Sequence, residues 1–241
     1  MPRTITHLVI ADKICHALGK EIENILLFFG GNIAPDAIHA KKDYQRLDKK
    51  RSHLCEGIRS YGYGYPEVAE LFQNRINEFI ENYYLPAEEE KDLYLGYLVH
   101  LLADELYLCE YYRRLEEQLN VIEASADIPI LRKNLADKIN NNEYNTFFAD
   151  MVKVYDISVH AYRFNQNMRD VLDAVWDYEI NDYVKASEIN ASKHWVIQKY
   201  FSSDTAQHDV MNIDSNPAIK FADDVVENIA AQIKRLNLQR K

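Results

Sequence analysis

Apolar residues recur at helical spacing through most of the 241-residue chain, and only seven glycines and six prolines interrupt them. Residues 66–85, PEVAELFQNRINEFIENYYL, illustrate the pattern, because Val68, Phe72 and Ile76 fall on one face of a helix. Few stretches show the strict alternation of a half-buried strand. The sequence therefore predicts an all-α fold. Because no linker or internal repeat divides the chain, we expect a single helical domain over residues 1–241.

Several further helices can be placed from the same pattern. The first is expected to begin near Thr6, and the second surrounds IENILLFF and is expected to end at Gly30 and Gly31, since glycine is common just beyond a helix end. A turn-rich connection, GGNIAPDAIH, should follow. Residues 86–119 predict one long, mostly buried helix with a proline and three glutamates in its first turn. The remaining amphipathic helices are expected at residues 128–139, 145–164, 168–187 and 217–238.

Charge and hydropathy exclude some classes of function. The net charge of −10 argues against a broad attraction to nucleic acid or anionic lipid, so an anionic substrate requires a local positive centre. The longest apolar stretch, ILLFF, is far shorter than the roughly 18 residues of a membrane span. Asp12, Lys13 and Lys20 break the apolar positions near the amino terminus, unlike a secretory leader. We therefore expect a cytoplasmic protein without a transmembrane segment.

One apolar stretch, YLGYLVHLLADE at residues 94–105, carries His100 and Asp104 four residues apart. On a helix this spacing places both side chains on nearly the same face, about 5.4 Å apart along the axis. An unpaired carboxylate among these apolar neighbours would be costly to bury, so Asp104 requires a cation or a hydrogen-bond donor. A metal ion meets that requirement. A hydrogen bond between the two residues, or a salt bridge from Asp104 to a distant lysine or arginine, meets it equally well.

Three more residues extend this pair into a set of metal donors: His7 in THLVIAD, Asp36 in GNIAPDA and His53 in RSHL. Together with His100 and Asp104 they supply three imidazoles and two carboxylates, which are suitable ligands for zinc. The five residues come from four segments. Ligands on separate helices have no fixed separation in sequence, so spacing alone does not group them.

The same segments, in the same order, resemble the bacterial zinc-dependent phospholipase C family. That family is all-helical and is related in fold to the zinc-dependent single-strand nucleases of plants and fungi. The matching pieces are THLVIADKI, GNIAPDA, RSHL and above all YLGYLVHLLADE, all within residues 1–115. The resemblance implies a metal-dependent hydrolase of phosphoester bonds that acts on a small phosphoester or a phospholipid head group.

The resemblance also implies a role for each of the five residues. Asp36, His53 and His100 would hold one zinc ion. Asp104 would bridge that ion to a second zinc ion, which His7 would bind. In such a site the zinc ions would activate water between core helices. We expect Asp36, where it is not fully committed as a ligand, to be the best candidate for the general base.

One of the chain's departures from the family pattern concerns a third zinc ion. The family has a histidine for a third zinc ion six residues after the bridging aspartate, whereas this chain has Glu110. The resemblance therefore implies two zinc ions rather than three, with the role of Glu110 left open. His39 is interpreted either as a substrate-contacting group or as a solvated turn residue. The run KKDYQRLDKKR at residues 41–51 is typical of a solvated charged segment, with contact to a phosphate group as the alternative.

Two other functions are compatible with the same residues. One is a phosphodiesterase or nucleotidase on the same fold, because one fold supports different substrates. The other is a helical metal-binding protein without catalytic turnover. Neither the substrate nor the oligomeric state can be derived from the sequence.

Overall fold

A computed structural model of the protein describes residues 3–58, 66–122, 162–176, 178–180, 183–201 and 217–239. Within these ranges the chain forms eight α-helices, which are α1 (Thr4–Leu18), α2 (Ile25–Ala37), α3 (Arg46–Ser52), α4 (Pro66–Phe79), α5 (Lys91–Ile122), α6 (Met168–Ala174), α7 (Ala186–Tyr200) and α8 (Pro217–Gln239). The described residues contain no strand, only one isolated bridge between Ile180 and Val184. The all-α prediction is confirmed.

Helix α2 differs from its prediction. The Asn24 side chain caps its start by accepting a hydrogen bond from the backbone N–H of Leu27 at 3.1 Å. The helix then continues through Gly30, Gly31 and Pro35 to Ala37. The prediction that α2 ends at the two glycines, with a turn-rich connection after them, is therefore wrong.

The glycines serve helix packing rather than helix termination. A Cβ atom on Gly31 would lie 1.9 Å from the backbone oxygen of Leu93 on α5. A Cβ atom on Gly96 of α5 would lie 1.9 Å from the backbone oxygen of Phe28 on α2. The two helices therefore touch backbone to backbone, an approach that only glycine permits at these positions. This contact fixes α2 against the middle of α5.

Replacing Gly31 with alanine is expected to destabilise the fold, because its Cβ can be accommodated only if α2 and α5 move apart. We expect a loss of about 1–3 kcal/mol in the free energy of unfolding, the usual range for overpacking, measured by denaturant titration. Gly30→Ala is the matched control, because the nearest atoms to its Cβ belong to side chains and not to backbone, with Val175 closest at 3.1 Å. Equal losses for the two variants would contradict the close helix contact.

Other boundaries also differ from the sequence-based expectations. The charged run 41–51 contains most of helix α3, and the long central helix begins at Lys91 rather than Pro86. The range 168–187 is not one continuous helix, since α6 covers its first part and α7 begins only at Ala186, whereas the helix expected at 217–238 is confirmed as α8. The helix expected at 128–139 and nearly all of the one expected at 145–164 lie outside the described residues.

Helix α5 passes through the centre of the core. Leu95, Leu98, Val99 and Leu101 on α5 are fully buried, and α5 packs chiefly against α2, with further contacts to α1 and α8. None of the described helices combines the length and the hydropathy that crossing a membrane requires. The fold thus surrounds the middle of α5 with α1 and α2, the two helices that carry the first predicted site residues.

Candidate metal centre

The five residues predicted from the sequence lie together in the structure. His7 comes from α1, Asp36 from the last turn of α2, His53 from the residue that caps α3, and both His100 and Asp104 from α5. Four of the five are at most 4 % exposed, and the Asp36 side chain is 11 % exposed. The helix packing therefore brings four separate segments to one buried point.

The Asp104 carboxylate connects the members of this cluster. Its Oδ1 atom is 3.4 Å from Nε2 of His7. Its Oδ2 atom is 3.5 Å from Nε2 of His53 and 3.8 Å from Nε2 of His100. Asp36 completes the group, because its Oδ1 atom is 3.4 Å from Nε2 of His53. One carboxylate thus faces all three imidazoles.

A backbone carbonyl determines which nitrogen of His100 carries hydrogen. The Nδ1 atom is 2.7 Å from the carbonyl oxygen of Asn32 on α2. Because a carbonyl only accepts, Nδ1 must donate, and the unprotonated Nε2 of the neutral ring remains free for another ligand. The close approach of α2 to α5 at Gly96, which lies against the backbone of Phe28 and Asn32, brings this carbonyl to the helix that carries His100.

His53 is oriented in the same way by groups around the end of α3. Its Nδ1 atom is 2.9 Å from both the Lys49 carbonyl oxygen and the Ser52 hydroxyl oxygen. The Ser52 hydroxyl donates to the Pro35 carbonyl at 2.8 Å, so it accepts from His53. The Tyr97 hydroxyl in turn donates to the Ser52 carbonyl. Such partners fix the orientation of a metal-binding histidine.

Several buried polar atoms of the cluster have no hydrogen-bond partner. They include Nε2 of His53, Nε2 of His100 and both carboxylate oxygens of Asp104. Buried polar atoms without a partner are rare in proteins. The rings of His7 and His100 are also stacked, with centroids 3.6 Å apart and planes 8° apart. Unprotonated imidazole nitrogens beside carboxylate oxygens fit a divalent metal ion.

The charges in the cluster agree with this interpretation. Burial, reinforced by His7, holds the pKa of His100 well below its usual value, so this ring is neutral. Burial alone would raise the pKa of Asp36, but the Lys49 ammonium and then His53 outweigh it and hold that pKa well below its usual range. Burial is likewise outweighed at Asp104, where the contact with His7 lowers the pKa. The two carboxylates are therefore ionised, as metal ligands must be.

Within the described residues, two groups of three donors can each hold a metal ion. One consists of His7, His100 and Asp104, and the other of Asp36, His53 and His100. Both groups use His100, but that ring offers only Nε2, since Nδ1 donates to Asn32. Asp104 removes the conflict because its Oδ1 faces His7 and its Oδ2 faces His53 and His100. The two oxygens of this carboxylate therefore face the donors of both groups.

Within the described residues, the side of the cluster at Asp36 is the most exposed to solvent. The Lys49 side chain, 25 % exposed, lies with Nζ 3.1 Å from Oδ1 of Asp36. His39, 46 % exposed, lies with Nε2 3.9 Å from the same atom. On the other oxygen of Asp36, the Thr4 hydroxyl donates at 3.4 Å. Lys49 and His39 thus lie at the most exposed described side of an otherwise buried cluster.

Lys49 is the neighbour of the cluster that the sequence analysis missed. The run 41–51 was expected to be solvated, and for Lys49 this expectation is wrong, since its ammonium contacts Asp36. The four-residue spacing between Lys49 and His53 was the available signal, because residues four apart on a helix lie on one side. Composition alone does not show which of the adjacent residues Lys49 and Lys50 contacts the cluster.

Replacing Ser52 with alanine is expected to weaken metal binding without removing a ligand. The variant loses the hydroxyl that links His53 to the Pro35 carbonyl, so the imidazole is less well oriented. We expect the metal dissociation constant to rise about 10- to 100-fold, the usual effect of losing such a partner, measured by competition with a chelating dye. The exposed Ser187 of α7 provides the control variant, S187A, which should bind metal as the wild type does. Unchanged affinity in S52A would show that this hydroxyl does not support the site.

Comparison with protein-family models, curated proteins and solved structures finds no match to this chain. The resemblance to zinc-dependent phospholipases C therefore stays a prediction. The side chain of Glu110 lies outside the described part of the structure, so the expectation of two ions rather than three also stays a prediction.

Proposed function

We propose that this protein is a metal-dependent phosphoester hydrolase of the phospholipase C type, with two zinc ions. One observation carries the proposal: the five residues identified from four separate segments converge on one buried cluster, in which Nε2 of His53 and His100 and both oxygens of Asp104 lack hydrogen-bond partners. The order of these segments along the chain, which resembles that of the zinc-dependent phospholipases C, supports the reaction class.

The donor set supports two metal positions that are expected to differ in metal affinity. Asp36, His53, His100 and Oδ2 of Asp104 would hold the first ion, so this position has four protein donors. His7 and Oδ1 of Asp104 would hold the second ion with fewer protein donors. We therefore expect one tightly bound ion and one that exchanges more readily. Zinc is proposed because imidazole and carboxylate ligands in a site of four donors suit it.

The chemistry follows from what each group supplies. Bound zinc lowers the pKa of water toward about 7 and polarises a phosphoryl oxygen. Asp36 lies at the most exposed described side of the cluster and is the best candidate for the general base where it is not fully committed as a metal ligand. Its lowered pKa makes it a weak base, so most of the activation of water would come from bound zinc. Thr4 holds the other oxygen of this carboxylate and thereby orients it. The buried walls formed by α1, α2 and α5 exclude bulk solvent from the other sides.

The local charge explains how an acidic chain would accept an anionic substrate. The whole chain carries a net charge of −10, but the cluster contributes only two carboxylates and lies beside the Lys49 ammonium. Two divalent ions would make the site positive overall. Attraction of a phosphate group would therefore be a property of the site and not of the surface.

The decisive experiment combines metal analysis of the purified protein with an activity screen. We expect transition metal at up to two ions per chain, and hydrolysis of phosphatidylcholine or of a small phosphodiester that is lost on chelation. Turnover of phosphomonoesters or nucleotides alone would replace the phospholipase assignment with a phosphatase or nucleotidase. Bound metal without any turnover would favour a non-catalytic metal-binding protein, and absence of metal would reject the proposal.

A further inference from the structure

The most exposed described side of the metal cluster is built from two residues that are not metal donors in either group of three. Lys49 lies on α3 and His39 in the turn after α2, and their side chains are 25 % and 46 % exposed. The three histidine donors are at most 1 % exposed. Among the described residues that contact the cluster, Lys49 and His39 are therefore the most exposed to solvent.

The Lys49 side chain is held in place on this side. Its Nζ atom donates to Oδ1 of Asp36 at 3.1 Å and lies 3.3 Å from Nε2 of His39. The backbone of Lys49 is fixed as well, because its carbonyl accepts from His53. The start of α3 is anchored by Asp48, which accepts from the Lys41 ammonium and from the Gln45 backbone. Lys49 is thus an ordered cation rather than a mobile surface charge.

Metal binding would change the electrostatic balance around Lys49. Among the described residues, Asp36 is the only carboxylate within 4 Å of this ammonium. A divalent ion bound to Asp36 would neutralise the negative charge that now stabilises the Lys49 ammonium. The ammonium would then be a cation beside a cation, which is unfavourable unless an anion lies close to both. The Lys49 ammonium would then be available to bind an anion beside the cluster.

His39 holds the Lys49 ammonium from a second side. An ammonium only donates, so Nε2 of His39 must accept from Lys49. With one N–H of the ammonium donated to Asp36 and one to His39, the third N–H is left for a ligand. A phosphoryl group, with several acceptor oxygens and negative charge, matches an ammonium held in this way.

We propose that Lys49, assisted by His39, forms an anion subsite that binds the phosphoryl group of the substrate beside the metal cluster. This inference rests on the proposed function, since the subsite has its role only next to bound metal. The ligand chemistry is a phosphate group with at least one negative charge. The same subsite would take inorganic phosphate, which is the simplest probe.

The test measures binding of inorganic phosphate to the zinc-loaded, desalted protein by isothermal titration calorimetry, with the metal content of each sample determined in parallel. Lys49→Gln removes the charge, and Lys49→Arg keeps it. Lys50→Gln is the matched control because it removes the same charge from the next residue of α3. We expect K49Q to bind phosphate about 10- to 100-fold more weakly, as for a lost hydrogen bond to a charged group. K49R and K50Q should stay near wild-type affinity, and all four proteins should keep the same metal content.

Three outcomes would overturn the subsite. Wild-type phosphate affinity in fully metal-loaded K49Q would show that Lys49 does not bind the anion, while the proposed function would stand. Loss of metal in K49Q would show that Lys49 acts by positioning Asp36. Absence of metal in the wild-type protein would reject the proposed function and the subsite together. Lys49→Met is a second charge-removing variant in case K49Q does not fold.

Discussion

Replacing His100 with alanine is expected to abolish metal binding at the first position and phosphoester hydrolysis with it. We expect kcat/KM to fall at least about 10³-fold, which corresponds to about 4 kcal/mol of transition-state stabilisation. The measurements are metal content by mass spectrometry and turnover of the best substrate from the screen. Circular dichroism of the same samples would verify that the helices are retained.

The size of this effect follows from the position of His100. The residue is fully buried, and its Nε2 atom belongs to both groups of donors that can hold a metal ion. Its Nδ1 atom is already used by the Asn32 carbonyl, so the ring is fixed with Nε2 toward Asp104. No other described histidine combines membership of both groups with this support.

The matched control is His194→Ala, which removes an exposed histidine from α7. This variant should keep the metal content and the activity of the wild type. If H100A keeps its metal and its activity while remaining folded, the cluster is a structural hydrogen-bond arrangement and the metal-site proposal fails. If H194A loses as much activity as H100A, the loss does not report on the cluster.

Removal of metal is expected to lower the thermal stability of the wild-type protein. A ligand that binds only the folded state stabilises it by about 2.7 kcal/mol when its free concentration is about 100 times Kd. For a domain of this length that amounts to a rise of about 5–11 °C in Tm. The structural reason is that Asp104 presents two buried oxygens without hydrogen-bond partners, which a metal ion would satisfy. The measurement compares Tm with zinc and with a chelator.

Asp104→Asn should lose most of this metal-dependent rise in Tm, because an amide is a weaker ligand and cannot bridge two cations as a carboxylate does. Glu105→Gln is the control on the same helix, since Glu105 accepts hydrogen bonds from Gln73 and is in neither donor group. E105Q should keep the full metal-dependent shift. A wild-type Tm that does not change on chelation would contradict the prediction.

Helix α2 shows why part of the fold could not be derived from the sequence. The local preference of glycine favours a helix end at Gly30 and Gly31. That preference is overridden because α5 approaches so closely that Gly31 and Gly96 are needed at the contact. Local sequence does not reveal which distant helix will pack there. By contrast, α4 and α8 follow the apolar period closely, and their positions could be predicted.

The residues that follow α6 also could not be predicted from the local sequence. Residues 168–187 were expected to be helical throughout, but α6 ends at Ala174 and Ile180 pairs with Val184. Lys193 of α7 donates to the carbonyl of Val175 at 2.6 Å, which satisfies a backbone group that a continuing helix would have used itself. No local sequence pattern predicts a tertiary contact of this kind.

The sequence by itself determined that the chain is helical, and it determined which side chains can hold a metal. The spacing of His100 and Asp104 follows from the helix period alone, and the donor types of His7, Asp36 and His53 follow from their chemistry. Only the tertiary structure decided that these five side chains meet, that Asp104 faces all three imidazoles, and that the Lys49 ammonium contacts Asp36. The physical reason is that ligands on separate helices are brought together by packing, and this packing depends on the backbone contact of α2 with α5, not on any distance along the chain.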